Sequence, residues 1–125
     1  MSSAALALIA ARPLSLRYSL LALVARLPQI ASIQSVEDMR SMRALLAVNS
    51  PQLVVLDIDL IGADSGELLA QLKAEAPDTR VVVLVDEIQQ QQALEMTSAD
   101  LVVLKGHPAA DLFTRLEHLL SQAEH

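Results

Sequence analysis

Five short β-prone runs, separated by segments of helical spacing, restrict the folds open to this sequence more than any other feature. Ala5–Ala10, Leu53–Leu56, Arg80–Val85 and Leu101–Leu104 are almost continuous Val, Leu, Ile and Ala, as in strands buried on both faces. Ile30–Ile33 is a fifth, weaker run. Pro13 suits the first turn of a helix, where its missing N–H costs nothing, and Pro28 ends that helix after Leu27. Ser35, with Asp38 three positions on, predicts a second helix start; Met39, Met42, Leu45 and Leu46 line it until Asn49-Ser50-Pro51 breaks it. Asp57–Gly66 reads as a loop and Glu67–Ala76 as a third helix stopped by Pro77. The fourth helix, the poorest, has Gln89–Gln92 in its first turns. A fifth opens at Pro108 and places Leu112, Leu116, Leu119 and Leu120 on one face.

Alternation of this kind closes as a parallel sheet covered by helices on both sides, because parallel neighbours need crossovers and these are right-handed. One α/β domain over residues 1–125 is expected. Such sheets collect their sites at the carboxyl ends of the strands. The residues to read are therefore Ala11-Arg12, Asp57-Ile58-Asp59, Val85-Asp86 and Lys105-Gly106.

Charge and composition narrow the partners. The net charge of −6 lacks the basic surface that draws proteins to phosphate backbones or anionic lipids, so neither direct nucleic-acid binding nor membrane binding is expected. Tyr18 and Phe113 are the only aromatic residues, too few to stack successive bases. The longest uncharged apolar run, Ala4–Ala11, is far short of the roughly 20 residues that span a bilayer. It also lacks the basic start of a secretory signal. With no cysteine there is no disulfide or thiolate metal site, which fits a reducing compartment, the cytoplasm. The acidic excess is unevenly placed: residues 1–43 carry five Arg against Glu37 and Asp38, or +3, leaving −9 for residues 44–125.

Asp57 at one strand end, Lys105 at the last, and Pro108 after it carry a family resemblance. So do Leu53–Leu60 with Gly62 and Gly66–Leu69, the stretch Ala74–Leu84, and Ala99–Lys105. In order and spacing the chain resembles a response-regulator receiver domain of two-component signalling over nearly its whole length. It is most similar to receivers that precede helix-turn-helix DNA-binding domains. The resemblance implies a flavodoxin-like (βα)5 fold, its five-stranded parallel sheet in the order 2-1-3-4-5. It also implies that Asp57 stands at the phosphoacceptor position, served by a histidine kinase, and Lys105 at the phosphoryl-contact position. In the family an acidic pair after the first strand holds Mg²⁺, and a Ser or Thr after the fourth strand contacts the phosphoryl group. Phosphoryl transfer offers a protein little to do beyond positioning and neutralising charge, so these helpers carry the chemistry.

The helpers are missing here. A gapless match of the first helix puts the acidic pair at Ala11 and Arg12; a match through Pro13 puts it at Ala10 and Ala11. The hydroxyl position falls on Val85, the small residue after it is Asp86, and the aromatic position of the last strand is Val102. Ala11, Arg12, Val85 and Asp86 thus form a degenerate pocket around Asp57 and Lys105. Two placements for Arg12 remain open: against Asp57 as a stand-in for the ion, or out in solvent. Asp57, Asp59 and Asp86 are weak candidates for a shifted metal site, against the plainer reading of solvated loop acids, so no metal or cofactor is expected. His107, His118 and His125 show no ligand spacing and read as surface residues. No nucleophile, base and orienting acid converge, and no glycine-rich phosphate loop follows the first strand, which argues against an enzyme.

The expected function is an atypical receiver acting as a protein-interaction module; the alternative is a working receiver phosphorylated on Asp57. Leu14, Tyr18 and Leu21 fall on a second apolar face of the first helix, with Phe113 of the last helix nearby, predicting a homodimer or partner surface.

Overall fold

The computed structural model describes residues 5–62, 65–94 and 97–122. Its strands are β1 (Leu6–Ala10), β2 (Ser32–Val36), β3 (Leu53–Asp57), β4 (Arg80–Val85) and β5 (Leu101–Leu104). All pair in parallel in the order β2-β1-β3-β4-β5, the flavodoxin-like order. The helices are α1 (Leu14–Val24), α2 (Met39–Val48), α3 (Ile58–Ile61), α4 (Ser65–Glu75), α5 (Ile88–Leu94) and α6 (Ala109–Gln122).

The unbroken apolar runs are explained by the two-residue period of a strand between two cores. Leu53 and Val55 of β3 join Ala7, Ile9, Leu84 and Val103 against α1 and α6. Val54 and Leu56 join Leu8, Val83 and Met42 against α2, α4 and α5. Each fully buried Leu, Ile or Val contributes about 1.5–3 kcal/mol relative to an exposed one. β2 is different because it is an edge: Ser32, Gln34 and Ser35 are exposed and only Ile33 and Val36 are partly covered.

Five expectations about element boundaries are corrected. The second strand is Ser32–Val36, not Ile30–Ile33, because Ser35 and Val36 pair with Ile9 and Ala10. That pairing removes Ser35 as a helix start; Asp38 caps α2 instead, its carboxylate accepting the Ser41 N–H at 2.7 Å. The same Ser41 backbone hydrogen bond holds the Asp38 carboxyl below its ordinary pKa, with smaller help from the charges of Arg40 and Arg12. The first helix ends at Val24, and Pro13 is its cap in extended conformation rather than its first helical residue. The expected loop after Asp57 contains the single turn α3, which buries Ile58 and stops at Gly62, whose φ of 83° favours glycine.

At the amino ends of the strands, away from Asp57, three polar contacts tie the layers together. The Asp100 carboxylate accepts the Val81 N–H at 2.7 Å and the Lys73 ammonium at 3.0 Å. The buried Thr79 hydroxyl donates to the Pro51 carbonyl at 2.7 Å. Among the described residues no helix is long and apolar enough to cross a membrane.

Candidate functional site

The carboxyl ends of β3, β4 and β5 bring Asp57, Asp86 and Lys105 together. Asp57 is the last residue of β3, in register with Leu84, and has no exposed surface. Its Oδ1 caps α3 by accepting the Asp59 N–H at 3.1 Å, which brings Asp59 back over the strand end. Lys105 follows β5, its backbone N–H donating to the Val85 carbonyl at 2.9 Å. From there its ammonium reaches three carboxylates: Asp57 Oδ1 at 2.6 Å, Asp86 Oδ1 at 3.0 Å and Asp59 Oδ2 at 3.2 Å.

This arrangement fixes the charge of Lys105. Partial burial alone would push the ammonium toward its neutral form, but the hydrogen bonds it donates to Asp57, Asp86 and Asp59 outweigh it and raise the Lys105 pKa above its ordinary value. One cation is therefore shared by a fully buried carboxylate and two exposed ones. Asp57 Oδ2 is also buried and has no hydrogen-bond partner among the described residues.

The β1 end supplies no acid. Ala10 is in register with Leu56, so Ala11, the next residue, stands level with Asp57. Ala11 is buried and Arg12 is exposed. Among the described residues Arg12 makes no ion pair with Asp57; its charge acts on Asp38. Arg12 is thus not the stand-in cation, and Lys105 takes that place. Val85 is buried in the apolar core and offers no hydroxyl. Asp86 is held by its own helix start, because Gln90 Oε1 accepts its N–H at 2.8 Å and that of Glu87 at 3.1 Å. The donor set does not fit Mg²⁺, which takes six hard oxygen ligands. Neither residue after β1 offers one, and no group of three or more His, Cys, Asp or Glu among the described residues is arranged to hold a metal.

The surface residues separate into two pairs. Leu14 and Tyr18 are 56% and 64% exposed, whereas Leu21 and Phe113 pack partly against the core below α1 and α6. Phe113 also carries the Arg26 guanidinium over its ring at 5.1 Å. His107 is partly buried and His118 exposed, while His125 lies outside the described residues. The convergence of Asp59 and Asp86 on Lys105 is the contact that sequence reasoning missed. Its signal was an acid two residues past Asp57 and another directly after β4, each at a strand end facing Lys105.

A parallel sheet in this order with an acid and a lysine at its carboxyl edge defines a receiver-type signalling domain. The profile of the response regulator receiver domain matches residues 15–117, and the chain belongs to that family. No curated protein matches it by sequence. Solved structures show the same fold. A response regulator receiver domain protein (CheY-like) from Methanospirillum hungatei JF-1 is 16% identical, with a TM-score of 0.81 and 98% of each chain covered. The signal receiver domain of a DNA binding response regulator protein (merR) from Colwellia psychrerythraea 34H is 17% identical, with a TM-score of 0.80, 94% of this chain and 99% of that one covered. NtrX from Brucella abortus is 23% identical, with a TM-score of 0.81; the match covers 98% of this chain but 28% of that longer one.

Proposed function

We propose that this receiver domain is an atypical one, a protein-interaction module of two-component signal transduction that works without Mg²⁺-dependent phosphorylation. The observation carrying this reading is the Lys105 ammonium 2.6 Å from the buried Asp57 carboxylate and shared with Asp59 and Asp86, beside a β1 end with no acid. In phosphoryl transfer the protein supplies positioning and charge neutralisation. Here neutralisation of Asp57 is built into the chain, and the ligands that would add a metal are absent from the β1 end. The module acts in the cytoplasm through protein contacts, self-association among them, and is not an enzyme. Any DNA-binding segment of the same protein lies outside residues 1–125.

The rival reading, phosphorylation of Asp57 by a histidine kinase, is favoured by one observation: Asp57 Oδ2 is uncommitted. Incubation with acetyl phosphate and Mg²⁺, followed by intact mass measurement, separates the two. The expected result is an unchanged mass. A stable phosphoryl adduct that disappears in Asp57→Ala establishes the rival.

A further inference from the structure

We propose that copies of this chain associate head to tail, the outer face of α1 in one copy seating in the groove between α2 and α4 of the next. The proposal rests on the reading of the chain as an interaction module and supplies the geometry that reading lacks.

The α1 face is apolar and flanked by cations, with Glu37, 3.7 Å from Arg17, at its edge. Leu14 and Tyr18 are exposed, and Ala22 and Ala25 follow at helical spacing, small enough for close approach. The exposed Arg12 and Arg26 flank the face, and no Asp or Glu occurs in the sequence before Glu37. Two such faces meeting each other would oppose like charges.

The groove on the other side of the sheet has the complementary character. At its upper end a cleft of about 390 Å³ is lined by Met39, Leu60, Ile61 and Leu68 with Glu67. Lower down, a cleft of about 330 Å³ between Leu46, Ala47 and Ala76 opens into one of about 500 Å³ that includes Val48, Glu75 and Asp78. Val48 is 78% exposed, the most exposed of the large apolar residues among those described. Arg43 is the one cation lining these three clefts, and it is already engaged by Gln71 at 3.2 Å and Glu75 at 3.7 Å. Glu67 and Asp78 are left to face an incoming Arg at either end.

The two faces belong to opposite sides of the sheet: Leu20 and Val24 of α1 pack into one core, Met42 of α2 and Leu69 of α4 into the other. Contact between unlike faces on opposite sides leaves one of each open, so assembly continues past the dimer unless the rotation closes a ring.

That asymmetry gives the test. Tyr18→Glu disables the α1 face and keeps the groove; Val48→Glu with Asp78→Lys disables the groove and keeps α1. These side chains are exposed, so circular dichroism should show both variants folded. By sedimentation velocity the wild type is expected to form species beyond a dimer at high micromolar concentration, reduced by 0.5 M NaCl as charge is screened. Each variant alone is expected to be monomeric, and an equimolar mixture to form a one-to-one dimer. A wild type that stays monomeric, or a mixture in which neither variant rescues the other, overturns the proposal. Phosphorylation of Asp57 by acetyl phosphate would overturn the reading of the site while leaving the sedimentation outcome as it stands.

Discussion

Replacing Lys105 by Met removes the one cation against a fully buried carboxylate while keeping most of the side-chain volume. Removing one partner of a buried ion pair costs about 3–5 kcal/mol, because the other charge is left in a medium that cannot solvate it. The low end applies here. Lys105 is 20% exposed, so water can reach the vacated position, and the Asp59 N–H still donates to Asp57 Oδ1 at 3.1 Å. A loss of about 3 kcal/mol is expected at pH 7, or roughly 10 °C in melting temperature for a domain of this size. Adding Asp57→Asn to Lys105→Met removes the stranded charge and should recover about 2 kcal/mol, a coupling that only an interacting pair produces. The pH dependence follows from linkage. A lysine whose folded pKa is raised contributes stability that is complete below about pH 10.4, its unfolded value, and is lost as pH rises through the folded one. The gap between wild type and Lys105→Met should hold from neutral pH to about 10 and narrow above it. Urea denaturation across this range checks it. A single variant as stable as the wild type, or a double variant no better than the single, would refute the claim that Lys105 neutralises Asp57.

Arg12→Asp with Val85→Thr returns a carboxylate and a hydroxyl to the strand ends, and 10 mM Mg²⁺ should then raise the melting temperature, by about 1.4 kcal/mol of stabilisation if the ion is at ten times its Kd; the wild type should not respond. Asp100→Ala strands the Val81 N–H and leaves Lys73 only its carbonyl acceptors, chiefly that of Thr79 at 2.8 Å, and a loss of about 2 kcal/mol is expected in urea denaturation. Thr79→Val leaves the buried Pro51 carbonyl without its donor and should lower stability by about 1–2 kcal/mol. Asp38→Ala should lower stability at pH 7, and the difference should vanish as pH falls below about 4, because a carboxyl of depressed pKa stabilises only while ionised.

The fold was legible wherever residues are buried on both sides. Val54, Val55, Val82, Val83 and Val103 are apolar irrespective of register, and strands β3, β4 and β5 emerge within a residue of their expected ends. At β2 the same reasoning slipped, because an edge strand needs cover on few residues and Ser32, Gln34 and Ser35 carry no periodic signal. α3 was hidden for a related reason: a single turn of helix is set by the Asp57 cap and the burial of Ile58, both of which depend on the completed sheet. At the site, strand ends singled out Asp57 and Lys105, which the structure pairs at 2.6 Å. The placement of Arg12 was not. An arginine beside a proline has no sequence signature for the direction of its side chain, and the balance went to solvent and Asp38 once Lys105 occupied the Asp57 carboxylate.

The central place of β1 also constrains how the chain can fold. The first strand in sequence has β2 on one side and β3 on the other, and all five of its residues are buried. It cannot gain its pairing on both sides until β2 and then β3, each made later than β1, have closed against it. Loop-closure entropy is met before those non-local pairings return anything, which slows such topologies and leaves an apolar strand waiting during synthesis. Leu6–Ala10 carries no charge to discourage pairing with another chain in that interval. A strand fully buried in the native sheet is therefore open to misassembly before the sheet exists.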